Sequence, residues 1–193
     1  MFETFDTIDR AVFMLVNVRL ANPVTDFIMP IITSDNLLKI LYLITVLVLL
    51  WKGNTRVRWM VLASALVLTV TDQLSAGLIK PVVGRLRPCH VLQGVHLLVD
   101  CGGGKAMPSS HAANAFGQAV LFALQFRFLK WYLLVGAFLI AISRTFVGVH
   151  YPGDIIVGGA LGSAVGAVVS FLFTRFYRSW SKVYRERTPE LNV

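Results

Sequence analysis

One long run without a charged side chain, residues 155–174, places the strongest limit on what this chain can fold into. About 20 apolar residues are enough for one α-helix to cross a bilayer. Gly158, Gly162 and Gly166 recur every four residues in this run and form a small-residue helix face, suited to close packing within a bundle or between copies of the chain. The run predicts at least one membrane-spanning helix.

The other apolar stretches are shorter, and each can cross a bilayer if a charged residue at its end reaches the interface. Residues 2–20 combine periodic apolar positions with charged ones, which is typical of a helix lying in the membrane interface. The expected fold is all-α: one domain over residues 1–193, with about six transmembrane helices and an N-terminal interfacial helix. We expect the spans near residues 24–33, 37–52, 58–79, 110–127, 130–148 and 155–175.

The distribution of basic residues is informative because the chain is 56% hydrophobic and 15% charged, yet has a net charge of +8. Membrane proteins concentrate basic residues in cytoplasmic loops and in sites that hold anions, so no nucleic-acid partner is expected. Six spans and a cytoplasmic N-terminus assign most of the basic residues to the cytoplasmic side, including Arg10, Arg19, Arg185 and Arg187. Basic residues also cluster on the opposite side, at Lys80, Arg85, Arg87, Lys105 and Arg144.

The first cluster lies in the segment from Lys80 to Pro88, after the third expected span. Lys80, Arg85 and Arg87 fall within eight residues, and the prolines and glycine between them indicate a rigid basic loop. Such a loop holds either a specific anion or the headgroups of surrounding lipids.

The second segment is Pro108-Ser109-Ser110-His111, directly before an apolar run. Pro and Ser at this point predict a helix start with Ser109 as its cap. Free N–H groups at a helix start bind phosphate, and His111 can exchange a proton with a bound anion. The alternative is an ordinary capped helix with a histidine at the interface.

The third segment contains Ser143, Arg144, His150 and Asp154, around a Pro-Gly turn. Asp154 lies close enough in sequence to hold one ring nitrogen of His150 and leave the other as a nucleophile. Arg144 supplies a permanently charged donor for phosphate oxygens. Alternatively, His150 and Asp154 only satisfy each other at a helix junction.

The six-span topology brings all three segments to one side of the membrane. Together they supply cations, a helix N-terminus, two histidines and a carboxylate. Transfer of a phosphoryl group needs these components: charge neutralisation, a nucleophile and an acid for the leaving oxygen.

With these motifs the sequence resembles the type 2 phosphatidic acid phosphatases, a family related in fold and site to vanadium haloperoxidases. The family signature is Lys, six residues, Arg-Pro; then Pro-Ser-Gly-His; then Ser-Arg, five residues, His, three residues, Asp. The first and third parts are intact here, and the second has Ser110 in place of Gly. The motifs cover residues 80–154.

The resemblance implies a membrane lipid phosphatase in which His150 forms a phosphohistidine, Asp154 orients His150, and His111 serves as acid and then base. It further implies that the phosphate oxygens are held by Lys80, Arg87, Ser109, Arg144 and the backbone N–H of Ser110. No metal or other cofactor is expected. The expected partner is a phosphorylated lipid in the surrounding bilayer, reached from the extracytoplasmic side of the inner membrane.

The substrate and the acceptor of the phosphate stay open. Phosphatidate, phosphatidylglycerophosphate, undecaprenyl diphosphate and the 1-phosphate of lipid A all carry a phosphate on an apolar anchor. One alternative is a phosphotransferase that uses the same site, and another is a non-catalytic membrane protein that binds anionic lipids.

Polar residues outside the motifs allow several interpretations. Arg85 is expected to contact a headgroup, and Asp72 to form a hydrogen bond between helices. The cysteines of the loop between the first two motifs form either a disulfide or, with two histidines, a zinc site. These four residues are Cys89, His90, His96 and Cys101.

Overall fold

The computed structural model describes residues 2–187, with side chains over residues 4–182, and it confirms the all-α prediction. No β-strand occurs between residues 2 and 187, apart from one isolated bridge between Leu86 and Lys105. The side chains of Arg185 and Arg187 lie outside the described ones. The α-helices are α1 Phe2–Met14, α2 Pro23–Ile32, α3 Asp35–Lys52, α4 Thr55–Asp72, α5 Lys80–Val83, α6 Pro88–Val91, α7 Ser110–Gln125, α8 Lys130–Phe146 and α9 Pro152–Arg187.

Three shorter helical segments extend this set. A π-helix, Leu15–Arg19, prolongs α1, and a second one, Gln73–Ile79, joins α4 to α5 without a break. A 3-10 turn, Arg127–Leu129, precedes α8.

Polar caps define where the helices begin. The side chain of Asn22 accepts hydrogen bonds from the N–H groups of Val24 and Thr25 at the start of α2. Ser34 caps α3 and Ser109 caps α7 in the same way. Ser, Asn and Asp are favoured at these positions because their oxygens satisfy N–H groups that have no partner within the helix.

The small-residue face of α9 packs against α7 within the chain. A Cβ atom on Gly162 would lie 2.0 Å from the carbonyl oxygen of Ala113, and one on Gly158 would lie 2.4 Å from that of Ser109. Only glycine allows the two backbones to approach this closely. Because of this contact, the start of α7, with His111, lies beside the start of α9, with Asp154.

The described residues include three helices that are long and apolar enough to cross a membrane: Thr55–Val83, Arg127–Phe146 and Pro152–Lys182. A fourth span is counted only if the N-terminal pair, bent by 113°, is treated as one broken span. α3 and α7 have only 18 and 16 residues. The three long apolar helices indicate a membrane protein. The predicted number of six spans is not confirmed.

The N-terminal helices lie at the end of the bundle that carries the motif loops. Asp9 accepts a hydrogen bond of 2.7 Å from the N–H of Gly153, and the amide of Asn17 donates to the carbonyl groups of His96 and Phe146. Thr33, directly after α2, also contacts this end of the bundle, because its hydroxyl accepts a hydrogen bond from the guanidinium group of Arg144.

The predicted span over residues 24–33 is therefore not confirmed, and the expected location of Arg10 and Arg19 on the side opposite the motifs is wrong. α2 has 10 residues, or roughly 15 Å of helix, which is half the thickness of a hydrocarbon core. An amphipathic pattern predicts that a helix lies in an interface, but the pattern is the same for either face of the membrane.

Candidate active site

The three motif segments meet at a cavity of about 380 Å³. It is lined by six residues that the sequence predicted, namely Lys80, Arg87, Ser110, His111, Arg144 and His150. Asp35, Asp100 and Gly102 complete the lining. Two further predicted residues, Ser109 and Asp154, are fully buried and are not part of this lining.

His150 and Asp154 form a buried pair beside the cavity. Nδ1 of His150 lies 3.4 Å from Oδ2 of Asp154, which also accepts a 2.9 Å bond from the N–H of Tyr151. Burial lowers the pKa of His150 to about 4, so its ring is neutral at neutral pH. A neutral imidazole with Nδ1 held by a carboxylate can use Nε2 as a nucleophile.

The turn before His150 depends on Gly148. This residue has a φ of 89°, a conformation that side chains other than glycine rarely adopt. A Cβ atom on Gly148 would also lie 2.9 Å from the carbonyl oxygen of His96. The turn ends α8 and returns the chain so that the N–H of His150 bonds the carbonyl oxygen of Arg144.

Arg85 binds Asp154 from behind the cavity, so its predicted contact with a lipid headgroup is wrong. One guanidinium nitrogen lies 2.9 Å from Oδ1 of Asp154 and 2.7 Å from Oδ2 of Asp9, and the other lies 3.1 Å from Asp6. The guanidinium group also lies 3.9 Å above the ring of Tyr151. A buried carboxylate requires such a partner, and here α1 holds that partner in place.

Arg87 and Arg144 direct partly satisfied guanidinium groups towards the cavity. Arg87 donates to the carbonyl oxygen of Cys101 at 2.6 Å, and Arg144 donates to the hydroxyl of Thr33 at 2.7 Å. The Nε atoms of both arginines are buried and have no hydrogen-bond partner. Both arginines line the cavity together with Lys80, and such a set of fixed cations suits an oxyanion such as phosphate.

His111 is paired with Asp35, a residue that the sequence analysis missed. Nε2 of His111 lies 3.0 Å from Oδ1 of Asp35 at the start of α3, directly after the Ser34 cap. An acid in the first turn of a helix is common because it complements the helix dipole. Its sequence position therefore gives no indication of its contact with His111, which lies far along the chain in another helix.

Ser109 and Ser110 have different surroundings. The hydroxyl of Ser109 accepts from the N–H of Ala112, and its own N–H donates to the carbonyl oxygen of Asp154. The hydroxyl of Ser110 lies 3.0 Å from that of Ser75. No residue other than glycine has a positive φ in the part of the chain that is described, so Ser110 fits this turn without strain.

A disulfide between Cys89 and Cys101 closes the loop between the first two motifs. The zinc alternative is wrong, because the two sulfur atoms are bonded to each other and His96 lies 3.0 Å from Asp26 instead. His90 contacts the carbonyl oxygen of Gly102. The disulfide ties down Cys101, whose carbonyl oxygen holds Arg87.

Comparisons with known proteins agree with the motifs. The family model of the PAP2 superfamily matches residues 56–178. The lipid A 4'-phosphatase of Bacteroides thetaiotaomicron is 32% identical over 180 residues, which cover 89% of this chain and 80% of that protein. The undecaprenyl-diphosphatase BcrC of Bacillus subtilis is 32% identical over 156 residues, covering 80% of this chain and 76% of the relative.

A solved structure shares the fold. The crystal structure of a transmembrane PAP2 type phosphatidylglycerolphosphate phosphatase from Bacillus subtilis superposes with a TM-score of 0.69. The superposition covers 91% of this chain and 87% of the solved chain, at 24% sequence identity.

Proposed function

The chain belongs to the PAP2 superfamily, and we propose that it acts, as one domain, by transferring the terminal phosphate of a lipid to His150 and then to water. It is a membrane hydrolase of lipid phosphates. One observation carries the proposed mechanism: a neutral, carboxylate-held His150 faces the same cavity as His111 and three cations.

The reaction runs in two steps. Nε2 of His150 attacks the phosphorus, the bond to the leaving oxygen breaks, and His111 gives that oxygen a proton. A water molecule then attacks the phosphohistidine while His111 takes a proton from it, which releases phosphate and restores neutral His150. Asp154 holds the imidazole in place and stabilises the positive charge that it gains.

Lys80, Arg87 and Arg144 neutralise the phosphate oxygens in both steps. The charge on these oxygens redistributes in the transition state, so cations fixed before the reaction stabilise it without reorganisation. All three side chains line the cavity.

A set of histidine variants tests the mechanism. His150→Ala is expected to lose phosphate release and to form no acid-labile phosphoenzyme. His111→Ala is expected to lose release from lipid substrates yet to form phosphoenzyme from an aryl phosphate, whose leaving oxygen needs no proton. His96→Ala is the matched control, since His96 pairs with Asp26 and does not line the cavity. Near-normal turnover by His150→Ala would contradict the mechanism.

Fixed cations make a metal ion unnecessary for charge neutralisation in this scheme. Phosphate release is therefore expected to continue in excess EDTA. If release fell to background and returned with added Mg²⁺ or Zn²⁺, the metal-free reaction would be wrong.

We propose that the cavity faces the extracytoplasmic side of the inner membrane. The Cys89–Cys101 disulfide at this end supports an oxidising compartment. The loops at the other end carry basic residues without acidic ones, as cytoplasmic loops do, at Lys52, Arg56, Arg58, Arg127 and Lys130.

Cysteine labelling tests this orientation. In intact spheroplasts, an impermeant maleimide is expected to label Gln93→Cys, in the motif loop, and not Lys52→Cys, at the other end of the bundle. Both positions are exposed. The reverse pattern would place the cavity in the cytoplasm.

A further inference from the structure

A second cavity, of about 500 Å³, lies beside the phosphate cavity between α3, α4, α7 and α8. Asp35, Ser110 and His111 line both cavities, so the two are contiguous at the acid that protonates the leaving oxygen. We call the second cavity the leaving-group groove.

The reaction geometry assigns the contents of this groove. In an in-line displacement the leaving oxygen departs on the side of phosphorus opposite the nucleophile. The nucleophile belongs to His150, which lines only the phosphate cavity, whereas His111 lies on the boundary. The group that is esterified to the phosphate therefore extends into the groove.

One wall of the groove is apolar and the other is polar. The polar wall comes from one face of α7, where Ser110, Asn114 and Gln118 follow one another at intervals of four residues. The apolar wall accommodates hydrocarbon and contains Leu38, Leu68, Leu133, Ala137 and Ile140.

Most of the neutral polar groups on this wall already satisfy one another. Gln118 donates to the carbonyl oxygen of Ser64 and accepts from its hydroxyl, which also contacts Tyr42. Asn114 donates to Oδ1 of Asp72 at 2.9 Å and accepts a short bond from Thr71.

The carboxylates retain the largest spare capacity to accept hydrogen bonds. An ionised carboxylate offers about four acceptor sites. Asp72 uses one for Asn114, and Asp35 uses one for His111. Both side chains line the groove and are exposed there. Lys39 is the one basic residue of the groove lining within the described chain, apart from His111.

We propose that the leaving-group groove binds the alcohol of a phosphomonoester and selects alcohols that carry further hydroxyl or amide N–H groups. Asp72, oriented by Asn114, accepts hydrogen bonds from these groups. A diphosphate is disfavoured, because its leaving group is itself a phosphate that would enter a groove lined by the carboxylates of Asp35 and Asp72. The proposal rests on the phosphatase function given above.

Four purified lipid substrates, each assayed in the same detergent, test which leaving group the groove prefers. Phosphatidylglycerophosphate releases an alcohol with a glycerol hydroxyl, and lipid A 1-phosphate releases a sugar with hydroxyl and amide groups. Phosphatidate releases diacylglycerol, which has no donor besides the new hydroxyl, and undecaprenyl diphosphate releases a phosphate. We expect kcat/KM to be at least about tenfold higher for one or both of the first two than for either of the others.

The variant Asp72→Asn tests the assignment directly because it keeps the shape and removes the charge. It is expected to lower kcat/KM about tenfold for the preferred lipid and to raise that for undecaprenyl diphosphate, because one of the two repelling charges is removed. Asp26→Asn is the matched control, since Asp26 pairs with His96 away from both cavities. Its ratios should equal those of the unmodified protein.

The outcomes are distinct. A preference for phosphatidylglycerophosphate would identify a glycerol headgroup as the source of the hydrogen-bond donors, and a preference for lipid A 1-phosphate would identify a sugar. A preference for phosphatidate or undecaprenyl diphosphate would overturn the groove assignment and leave the phosphatase function intact, as would an unchanged lipid ratio in a folded Asp72→Asn protein. Absence of phosphate release from all four lipids would overturn both. If Asp72→Asn did not fold, the preference of the unmodified protein would still decide.

Discussion

Replacing Arg85 with methionine is expected to weaken the fold and slow the reaction together. The guanidinium bonds Asp154 at 2.9 Å, and the side chain of Asp154 is fully buried. Arg85→Met keeps the apolar stem and removes the charge and the donors. Oδ1 of Asp154 then loses this partner, while Oδ2 keeps the N–H of Tyr151 and the ring of His150.

The size of the effect follows from the burial of the pair. Removing one partner of a buried ion pair costs about 3–5 kcal/mol. Arg85 is 18% exposed and Asp154 keeps other bonds, so we expect the lower end, about 3 kcal/mol of unfolding free energy. We also expect kcat to fall about 10²-fold, because a carboxylate without its anchor no longer fixes the nucleophilic imidazole.

Two measurements and two controls make this prediction specific. Unfolding free energy in mixed micelles and steady-state phosphate release are measured on the same preparations. KM is expected to change little, because Arg85 does not line the phosphate cavity. Asp6→Asn should affect both quantities weakly, since Asp6 is 41% exposed and such pairs contribute little. Arg85→Lys should lower the unfolding free energy and kcat by amounts between those for Asp6→Asn and Arg85→Met.

A kcat within threefold of the original, with unchanged stability, would refute the role of Arg85 in supporting Asp154. A raised KM with unchanged kcat would instead favour the headgroup contact that the sequence suggested.

Three other perturbations have definite expected outcomes. Burial lowers the pKa of His150 to about 4 in the folded protein, against about 6.5 when unfolded. The contribution of neutral His150 to the unfolding free energy is therefore complete above pH 6.5 and is lost as pH falls towards 4. His150→Gln should flatten the dependence of the unfolding free energy on pH in that range. Gly162→Ala should cost roughly 1–3 kcal/mol or more, measured by unfolding in mixed micelles, because its Cβ would lie 2.0 Å from the carbonyl oxygen of Ala113. Reducing the Cys89–Cys101 disulfide should raise KM for a phosphate lipid, since the carbonyl oxygen that holds an arginine of the cavity is released; an unchanged KM after full reduction would contradict this.

Convergence of the three motifs was predictable because each lies at the end of an apolar stretch. Helices that alternate in direction bring every second connection to the same end of a bundle. Lys80, His111 and His150 therefore meet although they lie far apart along the chain. The same reasoning needs only the alternating direction of the central helices, so it does not depend on how many spans the N-terminal region supplies.

The contacts of the N-terminal region could not be predicted in the same way. Asp9, Asn17 and Thr33 have ordinary local explanations, as polar residues of an amphipathic helix or at a helix end. Their partners are distant in sequence, and no periodicity specifies which loop a surface helix will contact. The charge of Arg85 was visible in the sequence, but the direction of its side chain was not.

These N-terminal contacts explain why the cavity can hold charged groups at the edge of an apolar bundle. α1 supplies the carboxylate of Asp9 to Arg85, and the turn after α2 supplies the hydroxyl of Thr33 to Arg144. Asp35, at the start of α3, then meets His111. A guanidinium or imidazole removed from water must recover its lost hydrogen bonds within the protein. The N-terminal region up to Asp35 meets that need for three groups, and in doing so it covers the ends of the helices that carry the reaction.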